Sequence, residues 1–193
     1  THLTHPALFF RLPNIIAQAR AAQVSQFIVP TAEHAEWATA LALLRQPEIR
    51  AVALGIHPWH AEQANASALH GLAQHLHQHP ALLVGEIGLD FYDKTQTPPQ
   101  RERQIQVFSR QLTIAQTLRR RVIIHNLKAT ADIAAAVRKT GFAQGGIVHA
   151  FSGSAEEARV LTKLGFKIGI GSLLLNLNAR KIRETLKALN DTD

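Results

Sequence analysis

From Val24 onward, short apolar runs rich in β-branched residues alternate with segments whose apolar residues recur at helical spacing. This alternation limits the fold more than any other feature. Strands separated by helices cannot pair through tight turns, so they pair in parallel, and the helices cover the sheet they leave. The runs occupy residues 24–30, 49–56, 81–89, 121–125, 145–151 and 166–172, each short enough for a strand. Helical spacing follows at 32–46, 99–120, 154–166 and 178–189. In the second of these, Ile105, Phe108, Leu112 and Ala115 share a face; in the last, Ile182, Leu186 and Leu189 form a stripe. Ser154 with Glu157 spells a capping box, and Gly165 is placed to end that helix. No linker or shift of composition interrupts the pattern, so residues 1–193 read as a single α/β domain.

Two architectures satisfy such a pattern, a doubly wound open sheet and a (β/α)8 TIM barrel. An open sheet usually carries a glycine-rich phosphate loop after its first strand, and neither that fingerprint nor a P-loop is present. A barrel needs eight strands, so six imply that the first and last are largely missing from this chain, which would then be part of a longer product.

The strand ends favour the barrel. His57, Glu86, His125 and His149 fall at or near the C-terminal ends of four successive runs. In a barrel those ends converge on one mouth, whereas in an open sheet they form a line. A single histidine at a strand end is usually a hydrogen-bonded core residue. A glutamate within an apolar run is harder to explain that way, because a buried carboxylate needs a cationic partner. With no cysteine and 11 histidines in the chain, any metal must sit on imidazole nitrogens and carboxylate oxygens. Such donors suit Zn, Mn, Ni and, less well, Mg. Asp90 could contact metal-bound water or simply cap a turn. Trp59, beside His57, is the aromatic best placed to stack on a base. The amides of the loop 151–154, which contains Ser152, could cradle a phosphate at a helix start.

The formal charge is +7, which favours an anionic partner such as a phosphate ester or nucleic acid. No stretch of 18 apolar residues and no secretory leader is visible, so the expectation is a cytoplasmic protein with no membrane association.

The segments GIHP (55–58), GEIGLD (85–90), VIIH (122–125), VHAFSGS (148–154) and GFKIGIGS (165–172) resemble the signature blocks of the TatD family of metal-dependent hydrolases, in order and across essentially the whole chain. The resemblance implies a TIM barrel with a pair of divalent metal ions at its mouth and deoxyribonuclease activity on phosphodiester bonds. It implies that Glu86 bridges the metals, that His125 and His149 complete the second site, and that His57 faces the substrate phosphate. His2 then stands for the second histidine of an H-x-H pair, with Thr1 between, and His5 is a decoy. The late aspartate of the family lies beyond LNDTD, and HNLK (125–128) replaces the usual H-S-R, leaving Lys128 as the basic substrate contact. The catalytic pair on this reading is Glu86 and His57, and a chain lacking the missing ends would bind metal weakly. The alternatives are a hydrolase of a small phosphoester or amide, and a barrel that has lost its chemistry.

Overall fold

The computed structural model describes residues 2–189; Thr1, read above as the middle of an H-x-H pair, and most of LNDTD lie outside them. Six strands form one parallel sheet: β1 (Phe27–Pro30), β2 (Ile49–Leu54), β3 (Leu83–Asp90), β4 (Val122–Leu127), β5 (Gly146–His149) and β6 (Phe166–Ile168). Their order in the sheet is their order in the chain. A doubly wound sheet reverses direction at a switch point. This one steps the same way at every crossover, as six consecutive strands of a (β/α)8 barrel do.

The helices are α1 (Pro6–Phe9), α2 (Leu12–Ala21), α3 (Trp37–Leu43), α4 (Ala66–Gln78), α5 (Pro98–Thr117), α6 (Thr130–Thr140), α7 (Ala155–Thr162) and α8 (Arg180–Lys187). The capping box expected at Ser154 and Glu157 opens α7, and a second, Thr97 with Gln100, opens α5. Gly165 does not end α7 directly. The helix closes on Lys163, and Gly165 follows at φ +88°.

Two helix faces differ from their apolar pattern. On α5 the fully buried positions are Gln104, Val107, Phe108, Gln111, Leu112 and Ala115, while Ile105 is only half-buried. The inward face is thus turned toward two glutamines, for a reason found at the site. On α8 Thr185, not Leu186, takes the inward slot beside Ile182, and its hydroxyl donates to Gly153 O at 3.0 Å.

The core lies between sheet and helices, with Leu54, Val84, Ile87, Leu89, Phe108, Leu112, Ile124 and Val148 essentially sealed from water. At the C-terminal end of the sheet the strands close in tightly. Past Pro30, Thr31 N donates to Ala53 O at 3.0 Å and to Gly85 O at 3.2 Å, and Glu86 N donates to Thr31 O at 2.8 Å, so the residue that follows β1 meets β2 and β3 together. Thr31 Oγ1, fully buried, also donates toward Ala53 O and Gly55 O. The glycines allow this convergence. A Cβ on Gly55 would stand 2.8 Å from the Gly85 carbonyl carbon, and one on Gly88 would stand 2.0 Å from His125 O.

Gly88→Ala should therefore force β3 away from β4 at the level of His125. The expected loss is roughly 3 kcal/mol or more, read as a lowered urea midpoint. Ala substitution of Gly71, whose added Cβ would meet only a Trp37 ring atom at 3.6 Å, is the mild control.

Candidate metal centre

The converging strand ends bring the polar residues together. Glu86 comes from β3, His125 from β4 and His149 from the end of β5; His57 caps the 3-10 turn Pro58–Gln63 after β2. His2 approaches from the N-terminal side. All five line one cavity of about 630 Å³. Two groups have ligand atoms mutually within 4.8 Å: His2, Glu86 and His149, and His57, Glu86 and His125. Glu86 is common to both. His125 and His149, neighbours in register on β4 and β5, each share a group with Glu86 and a different second histidine.

Glu86 is 2% exposed. Among the described residues its Oε2 has no hydrogen-bond donor, although His2 Nε2 stands 3.1 Å away; the contact has the length of an ion pair without the alignment of a hydrogen bond. Its Oε1 lies 3.4 Å from His125 Nδ1. The other nitrogen of that ring, Nε2, is 3.1 Å from Asp90 Oδ2. A carboxylate there accepts, so Nε2 carries the hydrogen, and in the neutral ring Nδ1 presents a lone pair to the Glu86 oxygen. Two lone pairs facing each other in a buried site need a cation between them, a proton or a metal ion. The donor set of imidazole and carboxylate fits a divalent transition metal.

The electrostatics agree. Burial alone would raise the Glu86 carboxyl. The adjoining imidazoles of His125 and His2, with His149 and His57 farther off, overcome it and hold the group well below the usual carboxylate range. Burial likewise depresses His125, but Glu86 and Asp90 outweigh it and raise the ring above its ordinary value. Burial lowers His149, partly offset by Glu86. His57 is pushed down to about 3 by burial first and by His125 second. Its Nδ1 accepts from Trp59 N at 3.3 Å. The hydrogen of the neutral ring is then on Nε2, which makes His57 a donor more readily than a ligand.

The apolar pattern missed the residues that hold this geometry. The β2–β3 ladder pairs Ala53 with Leu83 and Leu54 with Val84 and then ends, leaving buried backbone groups that still need partners. Gln111 supplies them for Ile56, accepting from its N at 2.8 Å and donating to its O at 3.0 Å. Gln104, two turns earlier on the same face of α5, does the same for Asp90, at 2.9 and 3.2 Å. Each side-chain amide acts as a piece of missing strand, immediately beside a site residue. Arg103, from the same helix, donates to Ala61 O and Ala64 O and steadies the turn behind His57. The i, i+7 spacing of two glutamines among apolar residues was the available signal. Asp90 caps a turn, its Oδ1 accepting from Tyr92 N at 3.0 Å, while its Oδ2 lies 3.1 Å from His125 Nε2.

Trp59 stands at the rim, 71% exposed, and lines the cavity. Lys128 and Ser152 do not line it. They flank a separate small cleft with Asn126, Thr130, Glu157 and Lys181. His5 lines the outer wall, but its Nδ1 accepts from Ala7 N and caps α1, and it belongs to neither ligand group.

Gln111→Met strips both Ile56 groups of their partners. We expect a loss of about 3 kcal/mol by urea denaturation. Gln106→Met, on the exposed face of the same helix, should change stability by less than about 0.5 kcal/mol.

The family described as TatD related DNase matches residues 1–193. The metal-dependent hydrolase YjjV of Escherichia coli K12 is 34% identical over 176 residues, 90% of this chain and 67% of that protein. The 3'-5' ssDNA/RNA exonuclease TatD of Edwardsiella piscicida is 30% identical over 171 residues, 88% of this chain and 65% of its own. The chain thus spans about two thirds of the length of these curated relatives. The crystal structure of Escherichia coli YjjV superposes with a TM-score of 0.89 at 32% identity, covering 98% of this chain and 73% of that one. The winding of the sheet, the carboxylate shared by two histidine pairs and the match along the full length agree: the chain belongs to the TatD-related DNase family of metal-dependent hydrolases.

Proposed function

We propose that this chain carries the catalytic mouth of a divalent-metal-dependent phosphodiesterase that acts on DNA. The observation that supports this reading most is Glu86, a buried carboxylate with an oxygen that has no donor among the described residues, shared by two groups of imidazoles. In the proposal Glu86, His2, His125 and His149 would hold the divalent ions, with Glu86 common to both ligand groups. Bound there, Zn, Mn, Ni or Mg supplies Lewis acidity toward a phosphoryl oxygen and acidifies water near neutral pH.

The chain's own residues do the rest. Asp90 holds the His125 tautomer that leaves Nδ1 free. His57, kept neutral, donates from Nε2 to a non-bridging phosphate oxygen, where negative charge grows in the transition state. Trp59 offers a stacking face at the rim for the adjoining base. Lys128 and Ser152, which follow the C-terminal ends of β4 and β5, contact flanking phosphates outside the ligand pocket. The net charge of +7 supports an anionic polymer, as does the name of the Edwardsiella relative, a 3'-5' ssDNA/RNA exonuclease. The cavity volume of about 630 Å³, within the range of small-molecule sites, favours a second reading in which the substrate is a small phosphoester.

The test is nucleotide release from end-labelled single-stranded DNA by the protein with its natural termini, in Mn or Mg, beside EDTA. We expect metal-dependent release that Glu86→Ala abolishes. Release from a small phosphoester but not from DNA would move the assignment to the second reading. Metal content gives an independent prediction. Glu86→Ala should lose all bound divalent ion by elemental analysis after gel filtration, and His125→Ala and His149→Ala part of it. His57→Ala should retain its metal yet lose turnover by about 100-fold.

A further inference from the structure

An exposed tryptophan is usually free to change rotamer, and its indole N–H finds water. Trp59 is held. Its Nε1 donates to Asp90 Oδ2 at 2.8 Å, and Asp90 is only 5% exposed. The same oxygen lies 3.1 Å from His125 Nε2. The other oxygen is occupied by Tyr92 N, and the Asp90 backbone is gripped on both sides by Gln104, with Gln96 donating to its carbonyl at 2.9 Å. The carboxylate therefore has no freedom to follow one partner at the expense of the other. The His57 ring fills the angle between them, 4.7 Å from Trp59 and 4.4 Å from His125. A buried acceptor shared by a rim aromatic and a ring beside Glu86 ties the mouth to the site floor.

Resting on the phosphodiesterase reading, we propose that Asp90 is a positioning residue. Through one carboxylate oxygen it sets the indole plane of Trp59 relative to His125, so that the nucleobase next to the scissile phosphate stacks on a fixed platform. An indole that rotates freely must lose that freedom when a base stacks on it; one already held by a buried acceptor does not. The N–H as well as the ring area is then required, which separates this role from simple apolar contact.

The experiment compares kcat/KM for a single-stranded oligonucleotide with that for the same oligonucleotide carrying abasic terminal nucleotides. The wild type should prefer the base-bearing substrate by about tenfold. Trp59→Phe, which keeps a stackable ring without the N–H, and Asp90→Asn, which cannot accept from both Trp59 and Tyr92, should each bring the ratio close to one. In both the change should fall on KM more than on kcat for the Trp59 variant and on both parameters for Asp90→Asn, which also disturbs His125. A Trp59→Phe enzyme that keeps the full preference overturns the proposal, as does an Asp90→Asn enzyme that loses turnover while the ratio stays at tenfold. Titration with dAMP, followed by tryptophan emission, is a readout apart from turnover. Trp37 is buried, so quenching reports on Trp59. We expect quenching in the wild type and an apparent affinity about tenfold weaker in Asp90→Asn. If the wild type turns over neither oligonucleotide, the phosphodiesterase reading fails, and this titration decides the platform by itself: no quenching, or equal affinity in Asp90→Asn, overturns it.

Discussion

A carboxylate with almost no access to water, ringed by imidazoles, is the constraint on which the rest of the structure depends. Glu86 sits inside an apolar strand, where an unpaired charge would be very costly. The surrounding histidines lower its proton affinity more than burial raises it, so the carboxylate stays ionised. They do not saturate it, since one oxygen lacks a donor among the described residues. The same charge raises His125 and moderates the effect of burial on His149. The five side chains are thus one electrostatic unit, whose members have their character only in one another's presence.

Keeping that unit together requires strands that approach more closely than ordinary side chains permit, and a backbone that leaves the ladder where the site begins. Gly55 and Gly88 permit the approach, because any Cβ there would overlap a neighbouring backbone. Thr31 joins β1 to β3 at the level of Glu86. Where the β2–β3 ladder stops, Gln111 and Gln104 replace the missing strand with side-chain amides. These residues meet no substrate in the proposed reaction. They let the backbone carrying His57 and Asp90 leave the sheet in a buried environment without leaving polar groups unpaired.

The alternating strands and helices, the parallel sheet and the histidines at successive strand ends were all legible in the sequence. They depend on local periodicity and on the rule that consecutive strand ends in a barrel share one mouth. The inward face of α5 was legible in Phe108, Leu112 and Ala115, but Gln104 and Gln111 were not, because hydrophobicity alone places glutamines outside. Only the presence of unpaired carbonyl and amide groups at Ile56 and Asp90 draws them in. The inward place of Thr185 on α8 has the same origin, an acceptor at Gly153 O.

The sequence by itself determined which residue types could bind a metal, since a chain without cysteine has only imidazole and carboxylate to offer, and which strand ends would present them. Tertiary structure decided how they are divided. His2 and His149 form one group with Glu86 and His57 and His125 form another, while Lys128 and Ser152 open onto a different cleft. It also decided that Asp90 serves Trp59 and His125 through a single oxygen. The physical reason is that spacing along the chain specifies which end of a strand a side chain occupies. Which nitrogen faces which oxygen depends instead on how far the strands close on one another, and so on contacts between residues tens of positions apart.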